Sequence, residues 1–116
     1  MENLTKFSIV MISVMVLVSH MGLQEGFAET EQELNLIFKQ ANKHLKNGEY
    51  RQAIVMYEQI LEINPNHKTT SNMKGIAHGN MDDHIKSLTQ FFKVLQKNPN
   101  DPIALTGMGI GFGNLG

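Results

Sequence analysis

The sequence predicts an all-α fold, an α-solenoid of about five helices in antiparallel pairs, preceded by a hydrophobic leader helix. Three observations predict it. Ile63-Asn64-Pro65-Asn66 returns 34 residues later as Lys97-Asn98-Pro99-Asn100. Between these prolines, apolar residues keep helical spacing and are interrupted by Gly, Pro and Asn. Ahead of the repeat, residues 7–18 (FSIVMISVMVLV) carry no charge.

The leader comes first. Lys6 is its one cation, offset by Glu2, and twelve apolar residues are too few to span a hydrocarbon core of ~30 Å as a helix. Gly26-Phe27-Ala28 puts small residues where a signal peptidase reads them. Residues 1–28 are therefore expected to be a signal peptide or membrane anchor. The remainder, 29–116, is then exported (secreted) or membrane-anchored on the extracytoplasmic side. Removing Lys6, Glu2 and Glu25 with the leader takes the formal charge from -1 to zero. No long-range field then selects nucleic acid or acidic lipid, so membrane contact is expected only through the N-terminal segment. The absence of cysteine excludes disulfides, thiolate metal sites and a cysteine nucleophile. The eight methionines suit irregular core packing.

The helices follow in order. Thr30-Glu31-Gln32-Glu33 reads as a capping box opening a helix that reaches about residue 47. Leu34, Ile37, Ala41 and Leu45 form its apolar stripe, and Gly48 stops it. A second helix starts near Tyr50, carries Ala53, Ile54, Tyr57, Ile60 and Leu61, and ends before Pro65. The third covers about 67–80 and the fourth about 84–97. The fifth, 102–115, opens on proline, as a first turn permits. In repeat phase Tyr57 meets Phe91, Ile60 meets Val94, Leu61 meets Leu95, and Ala41 meets Gly75 and Gly109. Short loops make neighbours antiparallel, and stripes that no single pair can bury require the pairs to stack.

This pattern resembles the tetratricopeptide repeat (TPR) family, whose unit is a helix-turn-helix of that period. Repeat one is 34–67, repeat two 68–101, and 102–116 is a partial third. The resemblance implies packing roles for Ala41, Gly48, Tyr50, Ala53, Tyr57, Ile60 and Pro65, for Gly75, Phe91, Val94 and Pro99, and for Gly109. Repeat two departs from the family at Ser71, Lys74, His78 and Ser87. It also implies a protein–protein interaction module that binds a peptide or helix in a concave groove lined by the first helix of each repeat. In this sequence those groove positions are Phe38, Asn42 and Leu45, then Asn72 and Ile76, then Thr106 and Ile110. Asn can serve a peptide backbone as donor and acceptor. The clamp with which some members grip a chaperone's carboxylate tail is not expected. Asn42 keeps one of its positions, while Phe38, Met73, Ile103 and Gly107 replace the others.

Sharper motifs do not survive their context. Gly111 to Gly116 spells G-x-G-x-x-G, but nothing predicts a strand before it or a helix after it. His67, His78 and His84 lack the i, i+4 spacing of helical metal ligands, and Glu58 and Glu62 read as a solvated helix face. No serine sits in a G-x-S-x-G turn. No enzyme activity and no cofactor are expected. The last helix shows Ile103, Leu105, Met108, Ile110, Phe112 and Leu115 with no charge after Asp101. Self-association through residues 102–116, or a partner covering them, is expected. Two other readings stay open: a truncated fragment of a longer TPR protein with little function alone, and a metal-binding protein.

Overall fold

A computed structural model describes residues 23–116, with side chains described from Thr30 onward. Those residues form five α-helices and no strand: α1 Leu23–Lys46, α2 Tyr50–Ile63, α3 Lys68–Asn80, α4 His84–Lys97 and α5 Pro102–Leu115. Among them, none is long and apolar enough to cross a membrane. Residues 1–22, which hold the apolar run of the expected leader, lie outside the described residues.

The chain divides into two units, Met1–Leu34 and Asn35–Gly116. Of the first, the described part is the opening of α1, with Glu31, Gln32 and Glu33 exposed. The expected capping box is a correction. The helix begins at Leu23, so Thr30 lies inside it, and α1 runs across the boundary drawn after Ala28. Leu, Gln, Glu and Ala before Thr30 are helix formers, and a single Gly26 does not terminate a helix. The packing described below belongs to the second unit.

The 34-residue echo is written into its turns. Gly48, at φ 78°, takes the left-handed position between α1 and α2; Asp82, at φ 61°, takes it between α3 and α4. Glu49 N–H donates to the His44 carbonyl at 2.9 Å, and Asp83 N–H donates to the His78 carbonyl at 3.0 Å. The side chains repeat as well. His44 Nδ1 is 3.0 Å from Glu49 Oε2, and His78 Nδ1 is 3.9 Å from Asp83 Oδ2. Burial pushes the His78 imidazole below its ordinary value, against the attraction of Asp83. The ends of α2 and α4 also match. Asn64 N–H reaches the Ile60 carbonyl and Asn98 N–H the Val94 carbonyl, both at 2.8 Å. The Lys97 ammonium then donates to Asn66 Oδ1, linking the equivalent turns of the two repeats.

N-caps fix the remaining starts. His67 Nδ1 accepts from Thr70 N–H at 3.2 Å to open α3, and Asp101 Oδ1 accepts from Ala104 N–H at 2.8 Å to open α5. Each cap satisfies an amide that the first helical turn leaves free.

Two apolar clusters hold the unit. Ala41, Ala53 and Tyr57 are fully buried, with Phe38, Leu45, Met56 and Met73 packed around them. Phe91, Val94 and Ala104 form the other, flanked by Ile76, Leu95 and Met108. From α2 onward each helix packs on the next, and α3 also touches α5. Ile60 is buried, Tyr50 half-buried, and Pro65 and Pro99 are exposed at their turns. Ser87, where the TPR pattern has alanine, donates its hydroxyl to the Gly75 carbonyl at 2.7 Å. Polar substitution there costs little because the buried group is paired.

One packing position differs from expectation. Gly109 is exposed, and a Cβ on it would meet nothing within 4 Å. Close approach falls instead on its neighbours along α5. A Cβ on Gly107 would lie 2.4 Å from the Phe91 ring, and one on Gly111 would lie 2.6 Å from Leu88. The crossing of α5 over α4 turns those two glycines inward and Gly109 outward.

Candidate functional site

An apolar hollow of the second unit is built from α3, α4 and α5. Its floor is Phe91, 2% exposed, whose ring is enclosed between Gly75 of α3 and Gly107 of α5. A Cβ on Gly75 would approach that ring to 2.9 Å, so both helices come close only because both positions lack one. Ile76, Pro102, Ile103 and Ile110 form the walls, with Thr106 as the single hydroxyl, around a volume of 370 Å³. A second compartment of 180 Å³ shares Ile76, Phe91, Gly107 and Ile110. It extends the trough past Asn80 and His84 to Asn114, adding amide and imidazole groups at that end. Ile103 and Ile110 stand at the rim, 42% and 61% exposed.

The seven groove residues expected from the TPR resemblance divide into three sets. Ile76, Thr106 and Ile110 come together in this trough. Phe38, Asn42 and Leu45 lie on α1, where Phe38 and Leu45 pack on the Tyr57 cluster. The Phe38 ring is 6.1 Å from the rings of both Tyr57 and His67. Asn42 Oδ1 accepts from the Tyr57 hydroxyl, and its side chain lines a separate hollow on α1. Asn72, expected to face a ligand, is 1% exposed instead. Its amide donates to Asp101 Oδ1 at 2.9 Å, and its own Oδ1 is buried without a hydrogen-bond partner. The N-terminus of α5 covers that face of α3, and this is what takes Asn72 off the surface.

Asp101 is the polar hub beneath the trough. It caps α5, receives Asn72, and lies 3.3 Å from the Lys68 ammonium through Oδ2. The Ala104 amide, with Asn72 and Lys68 beside it, holds its carboxyl below the usual carboxylate range despite burial. Sequence reasoning passed over Asp101, Ala104, Gly107 and Gly111. A signal for the first was present, since Asp101 stands 34 residues after the cap His67.

Among the described residues no three His, Asp or Glu side chains gather where a metal ion could be held. His67 is a helix cap, and Glu58 pairs with Lys74 at 3.2 Å. The segment 111–116 is the end of α5, not a phosphate-binding turn after a strand.

No family model matches the chain. It is similar to the Photosystem I assembly protein Ycf3 of Prochlorococcus marinus strain SARG, with 30% identity over 87 residues, covering 72% of this chain and 50% of the relative. The protein of the same name from strain MIT 9211 is 29% identical over 87 residues, with the same coverage. The chain thus spans about half the length of the curated relatives it matches. The five helices, their repeated turns and this distant similarity are consistent with a TPR-like protein.

Proposed function

We propose that this chain is a TPR-type solenoid scaffold that holds a protein partner during assembly of a complex, with a partner helix or extended peptide lying in the trough of α3, α4 and α5. The observation that carries the reading is the trough itself. It is apolar, open, and built on a core ring that two glycines allow the helices to approach. Apolar surface of this kind gains ~25 cal/mol per Å² when covered. An assembly role is supported by the name its relatives carry, Photosystem I assembly protein. Assembly of a photosystem by this chain is part of the proposal.

The test is affinity capture from native extract with the wild-type chain and with Ile103→Ser/Ile110→Ser. Both positions are substantially exposed, so the helices should persist, and circular dichroism checks that they do. Proteins retained by the wild type and lost on the variant are the expected result. An identical set on both chains sinks the groove assignment.

Export belongs to the same proposal. Residues 1–28 act as a cleaved signal or as an anchor that keeps the scaffold on the extracytoplasmic side. N-terminal sequencing of protein from its own host decides between them: a chain starting after Ala28 is a cleaved product, and one starting at Met1 leaves the anchor.

A further inference from the structure

A second hollow, of 340 Å³, lies on α1 and is lined by Lys39, Asn42, Lys43, Lys46 and Asn47. The three lysines are exposed, and none has a carboxylate within ion-pair reach among the described residues. Of the other cations, Lys68, Lys74 and Lys86 lie 3.3, 3.2 and 3.2 Å from Asp101, Glu58 and Asp83, while Arg51, Lys93 and Lys97 are without such a pair among the described residues. Two bland accounts of the α1 lysines can be weighed. Cations in a last helical turn favour the helix dipole, which covers Lys43 and Lys46. That benefit fades within one turn, so it does not reach Lys39. Lys39 and Lys43 are also four residues apart, where like charges work against the helix.

The amides sharpen the electrostatics. The Tyr57 hydroxyl donates to Asn42 Oδ1, and burial pushes Tyr57 up to about 12, so it keeps its proton at working pH. That bond turns Asn42 Oδ1 toward Tyr57 and fixes the orientation of the amide, whose Nδ2 end remains able to donate. Ammonium groups and a held amide donor make a surface suited to hydrogen-bond acceptors with negative charge.

We propose that this hollow docks an acidic segment of the protein partner, its carboxylates received by Lys39, Lys43 and Lys46 and a carbonyl by Asn42. The proposal rests on reading the chain as a scaffold, and it adds the charge class of what the scaffold holds. Lys39 to Lys46 covers roughly 10 Å at ~1.5 Å per residue. An extended stretch of about three to four residues matches that length. Among the described residues the lining is lysine and asparagine only.

The experiment is fluorescence anisotropy with a labelled peptide carrying Glu-Asp-Glu-Asp between Gly-Ser flanks, and with its Gln-Asn-Gln-Asn counterpart. The acidic peptide should bind, with affinity falling as salt rises. The neutral peptide, and the Lys39→Gln/Lys43→Gln/Lys46→Gln chain with the acidic peptide, should each bind about tenfold or more weaker. Ile103→Ser/Ile110→Ser should bind the acidic peptide like the wild type, which separates failure here from failure of the trough reading. Absence of binding, equal binding of both peptides, or full binding by the lysine variant would overturn the proposal. So would binding to phosphatidylserine-containing vesicles without binding to the peptide.

Discussion

Two glycine-to-alanine substitutions on α5 form a matched pair. At Gly107 a Cβ would come within 2.4 Å of two Phe91 ring atoms and 2.6 Å of a third. The ring cannot retreat, because it is 2% exposed and a Cβ position on Gly75 is already 2.9 Å away on α3. Overpacking of this kind costs ~1–3 kcal/mol. At Gly109 the same methyl meets nothing within 4 Å. Both variants gain the same helix propensity, up to ~1 kcal/mol over glycine. The difference between them therefore isolates the clash. Gly107→Ala should be less stable than Gly109→Ala by ~1–3 kcal/mol. At ~4–8 °C per kcal/mol for a domain of this size, thermal melts by circular dichroism will resolve the gap. Gly109→Ala itself should melt above the wild type. If the two variants melt together, the packing of α5 on Phe91 described above is wrong, and with it the floor of the trough.

Three further outcomes are expected. Asp101→Ala removes a helix cap, ~1 kcal/mol, and strands the buried Asn72 amide, ~1–3 kcal/mol, so urea unfolding should show a loss of roughly 2–4 kcal/mol. Because the native Asp101 carboxyl titrates below its ordinary value, its contribution is complete above about pH 4. It is lost as pH falls through the lowered native value, and the wild type should lose stability in that window more steeply than Asp101→Ala. Asp82→Gly relieves a left-handed residue at φ 61° and should stabilise by up to ~1 kcal/mol in the same assay; a loss would refute strain at that turn. Phe112 is 60% exposed beside Leu105 and Leu115, so the wild type should sediment as a concentration-dependent oligomer and Phe112→Asp as a monomer. Identical sedimentation of the two would remove that face as an interface.

Much of the helical layout was legible because it is punctuated locally. Pro102 opens α5, and Pro65 and Pro99 follow the ends of α2 and α4 at one repeat interval, so the ranges 84–97 and 102–115 could be read from neighbouring residues and the repeat. The start of α1 was misread for the converse reason: Thr30 to Glu33 has a capping composition, but nothing before it stops a helix. The trough was half legible. Ile76, Thr106 and Ile110 follow from repeat phase. Asn72 shares that phase yet is buried, because its surroundings depend on where the N-terminus of α5 lands. The same holds for the glycines. Alignment singles out Gly109, whereas the angle at which α5 crosses α4 selects Gly107 and Gly111, and no spacing rule encodes that angle.

The matched turns carry a kinetic consequence. The bonds that close them, Glu49 to His44 and Asp83 to His78, span five residues each, so either hairpin can begin to form without waiting for the other. The tie from the second hairpin to α5 is slower to make, because Asn72 must find Asp101 across 29 residues of chain. Loosening a turn should therefore change how fast a hairpin appears. Cutting the Asn72–Asp101 tie should leave hairpin formation intact and let α5 separate first, so that the chain unzips from that end.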